Sequence, residues 1–240
     1  MIKFFRKIRQ NLLMENKTGK YFKYAIGEIV LVVIGILFAL QINTWNNNRI
    51  ERNLEQDSLN EILDNLEFDL NTIDKCIEGN ERYIKYNLGV VEHLENRTPL
   101  TDSLKYYYAF LYAHQRFQPL KVGYENLKSR GLNIIRNQTL RKKISELYEY
   151  QYFFLAEDIR NETVHINAIH KNQTTAKLKT EKKYSSAQPI DLIALQNDIQ
   201  FHETLKDFAL VRSWSNGRYE FGKKEIIEAI GALKNELNKN

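Results

Sequence analysis

Cysteine occurs once in the 240 residues, at Cys76, and proline three times, at Pro99, Pro119 and Pro189. A lone cysteine excludes an intrachain disulfide framework and argues against a structural zinc site. Three prolines and ten glycines are too few for a fold built from short strands and tight turns, which leaves helices as the main element. The local patterns that announce much known chemistry are missing too. No G-x-S-x-G, no G-x-x-x-x-G-K-[ST], no G-x-G-x-x-G and no H-E-x-x-H occurs. No enzymatic activity and no cofactor is therefore expected.

The net charge of +5 first suggests a polyanionic partner, but its location decides otherwise. Lys3, Arg6, Lys7, Arg9, Lys17, Lys20 and Lys23 face only Glu15 and Glu28 before residue 29. Setting these seven and two aside from the 35 basic and 30 acidic side chains leaves 28 of each. The rest of the chain is formally neutral, and no nucleic-acid partner is expected.

The basic opening leads into YAIGEIVLVVIGILFALQI, from Tyr24 to Ile42. That length is close to the roughly 20 residues a helix needs to cross about 30 Å of hydrocarbon. Roughly ten strongly apolar residues, at about −0.3 to −0.6 kcal/mol each, outweigh one off-centre carboxyl costing at most about 3 kcal/mol. Residues 24–42 are read as a transmembrane helix. The excess of lysine and arginine before it places the N-terminus in the cytoplasm. A cleaved signal peptide is the rival reading, but the basic stretch is long for one and Phe38-Ala39-Leu40 offers no A-x-A-like site. Residues 1–23, with Ile2, Phe4, Phe5, Ile8, Leu12 and Leu13 among the cations, read as a basic amphipathic segment on the lipid surface. Within the span, Glu28, Gly35 and Ala39 lie within about 40° of one another at about 100° per residue, a face suited to another membrane helix. Glu28 can alternatively snorkel toward Lys20 or Lys23, or serve a proton or ion.

Residues 43–240 read as an extracytoplasmic helical domain, so the expected fold is all-α: one membrane helix followed by a bundle of about four long helices. Leu59, Ile62, Leu66, Leu70, Ile73, Ile77, Ile84, Leu88 and Val91 keep three- and four-residue steps, the pattern of a long amphipathic helix. A second helix is expected from a cap at Thr101 or Asp102 to about Phe117, and a short one around 124–129 ending at Gly131. Asn137 precedes a longer helix, and 174–189 reads as an exposed lysine-rich loop. Asp191 caps a helix through Phe208, and a last helix carries Ile226, Ile230, Leu233 and Leu237.

MIKFFRKIRQNLL, KYFKYAIGEIVLVVIGILFALQINTWN and GYENLKSRGLNIIRNQTLRKKISELY resemble an uncharacterised Bacteroidota family of small single-pass inner-membrane proteins, a domain of unknown function. The resemblance implies a Gram-negative envelope with the helical domain in the periplasm, and supplies no catalytic residues. Asp57-Ser58-Leu59 and Asp102-Ser103-Leu104 are similar to the O-glycosylation acceptor of Bacteroidota, although ordinary helix-surface or cap residues explain both equally well.

His165 and His170 are five apart, about 140° around a helix, and share no face for a metal. Tyr106, Tyr107, Tyr108, Tyr112, Tyr148, Tyr150 and Tyr152 suit a core edge or the lining of a groove. Tyr124, Glu125, Arg130 and Asn137 are the candidate polar rim of such a groove. The expected function is a non-enzymatic envelope protein acting through contacts of its membrane helix and periplasmic domain, with lipid and either a protein partner or a second copy as partners. The alternative is a periplasmic small-ligand sensor that signals through a partner protein.

Overall fold

The computed structural model describes residues 18–174 and 176–239. The amphipathic segment read at 1–23 lies mostly outside them. Helix makes up 80% of the described residues, and strand among them only one short hairpin, so the fold is all-α. The chain divides into two compact units, Met1–Leu54 and Glu55–Asn240.

Helix α1 spans Thr18–Glu95. In the first unit it carries an 18-residue window of mean hydropathy 2.5 with none of it buried. This is the one described helix long and apolar enough to cross a membrane. At its far end Arg49 sits 5.5 Å over the exposed ring of Trp45. No proline interrupts α1; Pro99 follows it, after Arg97 turns the chain with φ +51°. Arg97 N–H donates to Leu94 O and Thr98 N–H to His93 O, so the last carbonyls of α1 are satisfied without a glycine.

In the second unit, α2 (Asp102–Ala109), α3 (Val122–Arg130), α4 (Gln138–Glu146), a π-helical turn (Leu147–Gln151), α5 (Tyr152–Gln173), α6 (Leu192–Gln196) and α7 (Ile199–Leu237) follow α1. Strands β1 (Leu178–Lys182) and β2 (Ser186–Pro189) pair antiparallel, Leu178 opposite Pro189. Several starts follow from capping chemistry. Thr101 Oγ1 accepts the Leu104 N–H, Asn137 Oδ1 those of Thr139 and Leu140, and Asp191 and Asp198 those of Ala194 and Phe201.

Antiparallel packing of α1 on α7 is marked by a series of side-chain links. Glu67–Lys234 (2.7 Å), Asp74–Lys223 (2.7 Å), Asn80–Asn216 (2.9 Å), Asn87–Arg212 (2.6 Å) and Glu95–Lys206 (3.1 Å) follow one another up the pair. The ionic links are partly exposed and each contributes little; burial supplies the stability. One core joins Leu59, Ile62, Leu66 and Ile73 of α1 to Leu140 and Ile144 of α4, Leu155 of α5, and Ile226 and Leu233 of α7. A second joins Val90 and Leu94 to Tyr108, Ala187, Phe201, Leu205 and Phe208.

Between the two cores lies a polar layer. The Arg212 guanidinium is 1% exposed and donates to Asn87 Oδ1 (2.6 Å), Leu111 O (2.9 Å), Ala113 O (2.6 Å) and Phe208 O (3.2 Å). Tyr219 donates to Gln115 O at 3.3 Å, and Gln115 donates to Tyr83 at 3.2 Å. Burial pulls the Arg212 pKa down to about 10, so it is charged at neutral pH.

Four sequence expectations are corrected. The helix expected to reach Phe117 ends at Ala109, because the following carbonyls are taken up by Arg212 rather than by a further helical turn. Within the segment expected as a loop, residues 178–189 form a hairpin, anchored by buried Leu178 and Ala187. The helix expected from the Asp191 cap through Phe208 ends at Gln196, and a new one capped by Asp198 runs from Ile199 through the gap expected before Ile226, since Ser215, Tyr219 and Gly222 face inward there. On α1 the inward face shifts near its end: Leu88 is exposed, and Asn87, Val90 and Leu94 are buried in its place.

Candidate functional site

A cleft of about 710 Å³ opens between the extended segment after α2 and the outer face of α5. One wall is His114, Arg116, Phe117, Gln118, Pro119 and Lys121. The other is Tyr152, Phe153, Ala156, Glu157, Ile159, Arg160, Thr163 and Val164. Phe117 and Ile159 are buried at its base, while Phe153 and Val164 remain more than half exposed.

Both walls are held by one carboxylate. Asp69 of α1, fully buried, accepts the Leu120 N–H through Oδ1 (2.9 Å) and the Tyr152 hydroxyl through Oδ2 (2.8 Å). The first bond fixes the backbone of the 117–121 wall and the second the start of α5. Phe117 then meets the Tyr152 ring edge to face at 5.7 Å. Burial raises the Asp69 pKa to about 6, against the two hydrogen bonds that lower it. The π-helical turn at Leu147–Gln151 sits beside this arrangement, and Tyr148 within it and Tyr152 just after it are both buried.

Charge in the cleft is one-sided. Arg116, Lys121 and Arg160 stand against Glu157, whose carboxylate is bound to Arg160 at 2.6 Å. Among the described residues Arg116 and Lys121 have no carboxylate partner within 4 Å. His114 is held below the ordinary histidine pKa, by burial first and then by the charges of Arg212 and Arg116, partly offset by a hydrogen bond that the ring donates to the backbone of Tyr112.

The residues singled out in the sequence lie elsewhere. Tyr124 is a core residue, stacked on Tyr148 at 4.6 Å with its hydroxyl donating to Glu149 at 3.1 Å. Glu125 and Arg130 are exposed on and at the end of α3. Asn137 caps α4 and donates to Glu236 at 2.7 Å. None of these four lines the cleft. Of the tyrosines, Tyr152 does, whereas Tyr106 and Tyr107 gather around Tyr86 and Phe110. Glu28, Gly35 and Ala39 lie on the first-unit stretch of α1, where a Cβ added at Gly35 meets nothing within 4 Å. Ser58 is buried in α1, and Ser103 is exposed at the start of α2. His165 faces Asp207 at 3.4 Å, and the His202 ring lies 3.0 Å from Leu195 O.

Spacing alone gave no view of the cleft, because its walls come from segments about forty residues apart that meet through Asp69 and the Phe117–Tyr152 ring contact. The available signal was the sequence HQRFQPLK, in which cations alternate with apolar residues before and after Pro119. No protein-family model, no curated protein and no solved structure matches the chain.

Proposed function

We propose that this chain is a single-pass protein of a bacterial inner membrane, with its N-terminus in the cytoplasm and residues 55–240 as a periplasmic helical bundle. It acts through protein contacts rather than catalysis. The observation that carries this reading is the exposed apolar stretch of α1, Ile26 to Ile42, next to a basic opening. In water such a surface would be strongly unfavourable; in lipid it is the ordinary state of a spanning helix. The Glu28, Gly35 and Ala39 face is the contact for a second membrane helix, from another copy or a partner. The Bacteroidota resemblance of the opening and span agrees with this placement.

The test is alkaline carbonate extraction of native membranes, followed by protease digestion of spheroplasts and by cross-linking through a photoreactive residue placed at position 35. Retention in the pellet, digestion from outside and one discrete cross-linked product are expected. Release by carbonate would overturn the membrane reading, and the absence of any cross-linked product would overturn the contact.

The cleft supports a second reading, in which the periplasmic domain binds a small ligand and signals through a partner. Its volume falls within the usual range of small-molecule sites, roughly 300–1,000 Å³.

A further inference from the structure

The geometry points to the cleft between the 114–121 segment and α5 as a binding site for an organic anion, a phosphate or carboxylate group joined to a flat or acyl apolar body, with Arg116 and Lys121 as its anion contacts. This inference rests on the small-ligand reading and gives it a chemical class.

Three independent observations converge on that class. The first is charge. Beyond residue 28 the chain balances its acidic and basic side chains, yet this one hollow gathers three permanent cations against a single carboxylate. Glu157 is engaged by Arg160, and neither Arg116 nor Lys121 forms an ion pair with a carboxylate among the described residues; Lys121 is met only at longer range by Glu149, itself bound to Lys128. Two cations converging on a concave surface attract an anion more strongly than either would on a flat one.

The second is the apolar surface. Phe153 and Val164 stay largely exposed on a helix whose opposite face is well buried, and Phe117 and Ile159 form the base between them. An inorganic anion would leave these four surfaces wet. A ligand with an aromatic ring or short acyl chain would cover them, which is why the class is an organic anion.

The third is preorganisation. Asp69 ties the Leu120 backbone to Tyr152, so the two walls are held open at a fixed spacing before any ligand arrives. His114 at the rim, kept neutral by its surroundings, gains a reason to take up a proton once an anion is beside it.

The experiment uses the full chain in nanodiscs of zwitterionic phosphatidylcholine and reads binding by isothermal titration calorimetry. Four probes share or omit the two parts of the proposed ligand: 1-naphthyl phosphate, 1-naphthol, 1-naphthylmethylamine and inorganic phosphate. Saturable binding of 1-naphthyl phosphate is expected, with the other three weaker by roughly tenfold or more. The exposed double substitution Arg116→Gln with Lys121→Gln is expected to weaken 1-naphthyl phosphate by roughly tenfold or more while leaving the melting temperature unchanged. Lys142→Gln, on a different face, should change neither the affinity nor the melting temperature. Equal binding of 1-naphthol, or full affinity in the folded double variant, overturns the anionic class and leaves the small-ligand reading standing. Absence of saturable binding by all four overturns the proposal and removes its support for that reading, without touching the membrane contact. Short-chain phosphatidylglycerol competing better than 1-naphthyl phosphate would assign the anion to lipid, and the reverse order to a soluble metabolite.

Discussion

The Tyr152 hydroxyl donates to the Asp69 carboxylate at 2.8 Å, joining α5 to α1 through a carboxyl that burial raises to a pKa of about 6. Asp69 is thus harder to ionise folded than unfolded, where its value is 3.8. The stabilising share belongs to the protonated form. It is fully present below pH 3.8 and is lost as pH rises through about 6. Other carboxylates, such as Glu149 and Glu236, are shifted down by their partners and act in the opposite direction, so the effect is read as a difference. Asp69→Asn is expected to gain stability relative to the parent between pH 4 and pH 7, by up to about 3 kcal/mol, and to hold that gain above. Urea titrations at a series of pH values measure it, and a difference that stays flat would show that Asp69 is not the titrating group.

Arg212 is the largest single commitment in the polar layer. Arg212→Met leaves Ala113 O and Asn87 Oδ1 buried without this donor, and Leu111 O with only the Asn87 amide at 3.3 Å, a loss of about 3–5 kcal/mol. Arg212→Lys keeps a charge but cannot reach separated acceptors with a planar fork, and is expected to lose about 2 kcal/mol. Chemical denaturation of the full chain separates the two.

Two glycines in helices give opposite expectations. A Cβ at Gly79 would overlap the Gln115 side chain, displacing the group that bonds Tyr83, whereas one at Gly231 meets nothing within 4 Å. Gly231→Ala should stabilise by about 0.5–1 kcal/mol through helix propensity. Gly79→Ala receives the same benefit but is overpacked by about 1–3 kcal/mol, and should be net destabilising. Thermal melts of the two variants side by side decide the matter.

For the proposed membrane span, Val33→Arg introduces an insertion cost of about 3 kcal/mol near its middle. Membrane fractionation should then show a smaller share in the carbonate-resistant pellet, while Val164→Arg, on α5, leaves the distribution unchanged.

Much of the fold was legible locally. The caps at Thr101, Asn137 and Asp191 begin helices where their side-chain oxygens meet orphan N–H groups, and the face from Leu59 to Ile77 is the buried face. The misreadings share a cause. Nothing near Phe110 announces the end of α2, since the residue that accepts its chain's departure from helix is Arg212, 101 positions beyond Leu111. Leu88 fails as a core position because α1 changes neighbours there, from the α4, α5 and α7 core to one built with α2 and the hairpin. The cleft was hidden for the same reason: Asp69, Leu120 and Tyr152 are far apart in sequence, and their meeting is a tertiary fact. The tyrosine and asparagine chosen from the third resembling segment are instead spent on a ring stack and a helix cap.

The Arg212 layer also fixes a register. Sliding α7 by one helical turn along α1, about 5.4 Å, would carry the guanidinium away from Asn87, Leu111 and Ala113 together and strand it beside the aliphatic side chains of a neighbouring core. Apolar ridges alone allow such slips, because leucine fits a leucine-sized hole one turn further along. A charge with several fixed acceptors does not. Motion of α7 relative to α1 is thereby restricted to tilting or rotation about this latch, and a piston stroke between the two helices is excluded while the latch is closed.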